Sequence, residues 1–102
     1  MDFEWNEAKG RSNIRKHGLD FADAEEMFAG VLVVDPDTRE DYREKRWTGL
    51  GTIRGRTVYM VFTERGPDII RIISLRKASR RECKEYEKAI ENRLEAGRRA
   101  SG

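Results

Sequence analysis

A chain of 102 residues has room for one hydrophobic core and not for two, and charged side chains at 39 % of the sequence, against a usual value of about 25 %, keep that core small. Lys and Arg number 21 against 19 Asp and Glu, which excludes a uniformly cationic surface; a positive field for a polyanion has to come from clustering. No run reaches the roughly 20 apolar residues that cross a bilayer, Met1 to Asn6 has neither the basic nor the apolar region of an export signal, and one cysteine, Cys83, makes neither an internal disulfide nor a cysteine-based zinc site. These features predict a cytoplasmic protein that contacts no membrane and carries no metal or cofactor on its own ligands.

Asp2 to Trp5 alternates polar with aromatic, as a short edge strand can. Asn6 then caps a helix that runs to His17 and stops at Gly18. Asp20 caps a second short helix, with Phe21, Ala24, Met27 and Phe28 at helical spacing and Gly30 as its stop. Val31 to Val34 is a β-branched run that ends at Asp35-Pro36-Asp37, and a polar loop follows to Lys45. Arg46 to Arg54 alternates, with Arg46, Thr48, Leu50, Thr52 and Arg54 on one face and Trp47, Gly49, Gly51 and Ile53 on the other. Gly55-Arg56 reads as a tight turn; Thr57 to Thr63 and Ile69 to Leu75, separated by Arg65-Gly66-Pro67-Asp68, read as central strands. Ser79 with Glu82 forms a capping box for a last helix whose apolar stripe is Cys83, Tyr86, Ile90 and Leu94. The predicted fold is α+β: two short N-terminal helices, a four-stranded, mainly antiparallel sheet and a C-terminal helix. It occupies residues 1–97 as a single domain, with a flexible tail at 98–102.

The Gly-rich phosphate loop, the paired His or Cys spacings of metal sites and the serine-hydrolase elbow are all missing from the sequence. Basic residues set into apolar strands stand out instead. Arg71 interrupts five branched aliphatics, and Arg76-Lys77 closes the same strand. An Arg in such a strand needs a partner, because an unpaired buried charge costs several kcal/mol. Either an acid such as Glu44 or Glu64 pairs with Arg71, or an anion does, and a guanidinium suits phosphate through its bidentate fork and permanent charge. Five residues apart, Arg71 and Arg76 face opposite sides of a regular strand and Lys77 shares the side of Arg71; a bulge before Arg76 removes that obstacle. Arg46, Arg54 and Arg65 lie where two hairpins can present them together, or each is simply solvated. His17 is the single histidine, suited to proton transfer near neutral pH, or else it only interacts with the carbonyls at its helix end. Trp47 and Tyr42 can stack on bases, although a Trp in a strand is often core. Cys83 lies on the apolar stripe of the last helix.

Three segments together resemble the BrnT toxins over nearly the whole chain. Phe3-Glu4-Trp5-Asn6, Asn13, Lys16-His17-Gly18, Phe21-Ala22 and Phe28 look like that family's N-terminal pattern. Arg43-Glu44-Lys45-Arg46, followed by Gly49 and Gly51, is similar to its Gly-Glu-x-Arg segment, with Arg43 where glycine is frequent. Ile70 to Ala78, with Arg81-Glu82 and Tyr86, is close to its Arg-Ile-Ile-Ser-x-Arg-x-Ala and Glu-x-x-x-Tyr.

The resemblance implies a RelE-like fold and a metal-independent endoribonuclease that cuts RNA and halts translation. It also implies a heterotetramer with a BrnA-like ribbon-helix-helix antitoxin, through which operator DNA is contacted. On that reading Arg71 and Arg76 hold and neutralise the phosphate, His17 or Glu44 moves protons, and Lys77, Arg46, Arg54, Arg65 and Trp47 hold RNA. Two other readings stay open. A non-catalytic single-stranded RNA-binding module predicts salt-sensitive binding without product; a protein-interaction module, its arginines paired internally, predicts no affinity for RNA.

Overall fold

The computed structural model describes residues 1–101, with side chains described through Gly97; the tail expected at 98–102 lies outside the described side chains. Strand β1 (Asp2–Glu4) leads into helix α1 (Glu7–His17), a 3-10 turn (Phe21–Asp23), helix α2 (Ala24–Ala29), strands β2 (Val33–Pro36), β3 (Trp47–Ile53), β4 (Arg56–Glu64) and β5 (Ile69–Lys77), and helix α3 (Arg80–Ser101). The helix termini follow the sequence. The Asn6 side chain accepts from the Lys9 N–H at 3.0 Å, and Gly18 ends α1 in the left-handed conformation at φ 68°, which glycine takes without a Cβ clash. Asp20 caps with its carboxylate on the Ala22 N–H, but the element it opens is a 3-10 turn that passes into α2, so the second predicted helix is divided.

The sheet has five strands in the order β1-β5-β4-β3-β2, where four were expected. The additional strand is β1, the short edge strand read at Asp2 to Trp5 but left out of the count of four; it pairs parallel with β5 from Asp2↔Ile69 to Glu4↔Arg71, and every other pairing is antiparallel. β2 is shifted C-terminally from the apolar run 31–34 and includes Pro36, tolerated because β2 is an edge strand and the ladder loses no donor there. The first hairpin turn also moves by one residue. Ile53 pairs with Arg56, so the loop is Arg54-Gly55, both at positive φ, 48° and 78°, as a type I′ turn requires. Arg54 pays a steric cost there that glycine avoids. The acids of the neighbouring helical segment hold it: the Glu26 carboxylate accepts the Arg54 N–H at 2.7 Å, and Asp23 accepts from its guanidinium at 3.1 Å.

One sheet face carries the main core. Ile53, Val58, Met60, Phe62, Ile70, Ile72 and Leu75 bury against Phe21, Ala24 and Met27, with Phe3, Trp5 and Phe28 packed around them. Gly49 and Gly51 let this layer sit close: a Cβ on Gly51 would lie 3.2 Å from the Met27 Cβ, and one on Gly49 3.1 Å from Leu32 Cδ1. β1 spans only the first third of β5. Beyond it the buried side chain of Asn13 takes the place of a neighbouring strand, accepting the Leu75 N–H at 3.2 Å and donating to the Leu19 carbonyl at 2.9 Å.

The opposite face is covered by α3, through Tyr86, Cys83 and Ile90 on Leu50, Val31, Val33 and Tyr59. The Tyr86 hydroxyl donates to the Val31 carbonyl at 2.8 Å. The predicted stripe outlasts this support, since Leu94 is 60 % exposed. None of the helices among the described residues is long and apolar enough to cross a membrane.

Candidate active site

A bulge in β5 determines which basic residues share a surface. Ile72 pairs with Phe62 and Ser74 with Val61, leaving Ile73 as the extra residue, so side-chain alternation resets there. Arg71 opposite Thr63 and Arg76 opposite Tyr59 therefore lie on one face, the face of α3. Lys77, which regular alternation would group with Arg71, is instead opposite Val58, on the side of the main core. Four ladder steps separate the two arginines, about 13 Å at roughly 3.3 Å per residue, so from their strand positions they are set to contact neighbouring phosphates better than to share one.

Arg76 is held on three sides. Its Nη1 and Nη2 donate to Glu82 Oε1 and Oε2 at 2.8 and 2.9 Å, its guanidinium lies 4.0 Å from the Tyr59 ring centroid, and Glu82 also accepts the Ser79 N–H at 2.8 Å as the predicted capping box. Arg39 stands at the same tyrosine, 5.9 Å from its centroid, and forms a two-point pair with the buried Asp37 carboxylate at 2.8 Å per bond. The hydrogen bonds from Arg76 pull the Glu82 carboxyl from an ordinary 4.5 to about 2, and those from Arg39 hold Asp37 low as well. Both acids are anions at neutral pH and position guanidinium groups.

Because the folded Glu82 carboxyl lies below its unfolded value, its stabilisation is complete above about pH 4.5 and is lost as pH falls towards 2; it amounts to about 2–3 kcal/mol. Glu82→Gln is expected to melt below the wild type at neutral pH, and the gap is expected to close across that acid window. Melting by circular dichroism at a series of pH values checks this, and a gap that stays constant with pH would contradict it.

Neither Glu44 nor Glu64 pairs with Arg71. Its Nη1 donates to Glu4 Oε2 at 2.5 Å, because the parallel β1 brings Glu4 alongside; the two side chains are 29 % and 41 % exposed, so the pair is open to solvent. Arg46, just before β3 and in phase with Thr48 and Leu50, has its guanidinium 4.1 Å from the Tyr42 ring centroid and its Nε 3.3 Å from Glu44 Oε1. Tyr42, Glu44, Arg46 and Trp47 line a cleft of about 560 Å³ with Asp37, which combines aromatic planes, a cation and acids around a space suited to a base. Trp47 also packs against the main core. Arg65 is exposed in the β4–β5 turn.

His17, Lys77 and Arg54 come together elsewhere. With Arg56 and Thr57 they line a second cleft, of about 430 Å³, at the hairpin end of the sheet. His17 is thus on the α1 side, separated by the sheet from Arg71 and Arg76. Sequence reading passed over Arg39, Tyr59, Glu4, Glu82 and Arg56 as site residues. Glu82 had a signal, as the capping-box acid six residues after Arg76, and Arg56 was hidden by the misplaced turn.

The family model described as "Ribonuclease toxin, BrnT, of type II toxin-antitoxin system" matches residues 5–82. Among solved structures the chain is similar to the crystal structure of the Brucella abortus ribonuclease toxin, BrnT, at 34% identity and a TM-score of 0.65, over 78% of this chain and 99% of that one. No curated protein matches.

Proposed function

The chain belongs to the BrnT family of ribonuclease toxins of type II toxin–antitoxin systems, and from that premise we propose that it is a metal-independent endoribonuclease that cuts cytoplasmic RNA and so stops translation. The observation that carries this reading is the bulge at Ile73, which sets Arg71 and Arg76 on one face, with Arg46 in phase at the Arg71 end of it.

The 2′-hydroxyl attacks the adjacent phosphorus. The 2′-O–P bond forms, the P–O5′ bond breaks, the hydroxyl proton passes to solvent, and the leaving 5′ oxygen takes a proton from solvent. Charge grows on the non-bridging oxygens, where preorganised guanidinium groups act most strongly. Arg76 stabilises the phosphate, Arg71 binds the next one along the strand, and Arg46, Tyr42 and Trp47 hold a base. His17 lines the cleft on the other face of the sheet from Arg76, and this reading gives it no part in the step. A BrnA-like ribbon-helix-helix antitoxin neutralises the toxin in a heterotetramer and carries the contacts with operator DNA.

One observation favours the protein-interaction reading. Arg71 and Arg76 each already have a carboxylate partner. Both pairs are partly open, however, and a guanidinium offers five donors, so pairing with a carboxylate leaves donors for phosphate.

The test is end-labelled RNA incubated with purified protein in excess EDTA, with and without ribosomes. We expect fragments ending in 2′,3′-cyclic phosphate and 5′-hydroxyl. Intact RNA in both arms overturns the ribonuclease reading, and cutting that EDTA abolishes overturns metal independence.

A further inference from the structure

We propose that the cleft lined by His17, Arg54, Arg56 and Lys77 is a second phosphate-binding site, which takes an RNA backbone phosphate flanking the one at Arg76; this rests on the ribonuclease reading above. The cleft's lining includes no carboxylate. Arg54 has an acidic partner in Asp23, whereas His17, Arg56 and Lys77 form no ion pair among the described residues. Arg56 and Lys77, two cations without a carboxylate partner, leave a local positive field in a protein whose overall charge is only +2, and such a field attracts a polyanion.

Position ties this cleft to the arginine face. Arg76 and Lys77 are consecutive in β5, with Cα atoms about 3.8 Å apart, and they point to opposite sides of the sheet. A strand whose phosphate sits at Arg76 has only the end of β5 to cross before reaching Lys77. Past that end, Arg80, Arg81, Lys84 and Lys88 line a further groove on α3 with a single acid, Glu85, so the crossing is bordered by positive charge. The ligand class is therefore single-stranded nucleic acid held by its phosphates and not by its bases, with the sheet's end as the corner over which it bends.

The experiment uses the full chain and an RNA decamer methylated at every 2′-oxygen, which binds but has no attacking hydroxyl. The variant is Arg56→Ala with Lys77→Ala; both side chains are exposed, and a charge-preserving Arg56→Lys, Lys77→Arg protein controls for folding. Anisotropy across salt concentrations is expected to show binding weakened about 10-fold and a log–log salt slope shallower by about 0.7, the value of one single-strand phosphate contact, both restored in the control. His17 is the only histidine, so its ring signals are assigned without ambiguity; they are expected to shift with the decamer in the wild type and not in the double-alanine variant. Unchanged affinity, slope and ring shifts in that variant overturn the site, and if the wild type still cuts RNA the ribonuclease reading stands without it. Decamer binding through the cleft by a protein that cuts no RNA, with or without ribosomes, supports the site and removes the ribonuclease reading.

Discussion

Arg76→Ala is expected to fold and to cut RNA about 10²–10³-fold more slowly, the usual loss when one preorganised charge-stabilising donor is removed from a transition state. The side chain is built for fixed direction. Glu82 holds both terminal nitrogens, Tyr59 lies under the guanidinium plane and Ser79 anchors Glu82 in turn. Removing it leaves Glu82 with its capping bond and some exposure to water, so the folding cost is about 1–3 kcal/mol. Arg76→Lys keeps the charge but loses the two-point fork and is expected to fall between the wild type and alanine. Single-turnover rates on one RNA, with melting curves for each variant, separate the effects. A folded Arg76→Ala protein with wild-type rates would remove Arg76 from the mechanism. For Arg71 the half-open pair with Glu4 means that its replacement costs less stability than a buried charge pair would, so lost cutting there reports on RNA as well.

The largest loss of stability is expected at Asn13. Its side chain is buried, 6 % exposed, and satisfies two backbone groups that have no strand beside them, the Leu75 N–H and the Leu19 carbonyl. Asn13→Ala strands both at about 1–3 kcal/mol each, so about 2–6 kcal/mol in total. At roughly 4–8 °C per kcal/mol for a domain near this size, the melting temperature falls by about 8 °C or more. Asn13→Asp retains an acceptor for Leu75 but has nothing to donate to Leu19, and is expected to recover only part of the loss. Melting within a degree or two of wild type for Asn13→Ala would show that other groups satisfy both backbone partners.

Asn13 also marks the limit of what the sequence makes legible. Local chemistry was readable because its cause is local: Asn6 and Gly18 bounding α1, the Ser79–Glu82 capping box, and strands β3 to β5 to within two residues at each end. Features made by distant partners were not. β1 is three residues long and its pairing with β5 spans 67 positions, which no window over the sequence detects. The bulge falls among Ile72, Ile73 and Ser74, with no glycine to announce it; the only clue was that Arg76 would otherwise face away from Arg71. The Arg54-Gly55 turn carries no turn signal at Arg54, because its conformation is held by Glu26 and Asp23 from another element. At the site, basic residues on apolar or alternating strands brought Arg71, Arg76 and Arg46 into view, with Glu44 as a candidate partner, and the family resemblance supplied their expected roles. The orienting partners of the two strand arginines, Glu4 and Tyr59, become visible only once the sheet register is known.

The parallel seating of β1 on β5 has a consequence in time as well as in space. Strand β1 leaves the ribosome well before β5 and cannot be seated until β5 has followed it, and Asn13 likewise waits for Leu75. Contacts so far apart in the chain form late and slowly. A nascent chain therefore carries Glu4 and Asn13 without their partners through most of synthesis, and the arginine face is assembled only when β5 is out. A polypeptide released before residue 69 lacks both arginines of that face and the strand that seats β1, so premature termination yields a fragment in which the arginine face never forms.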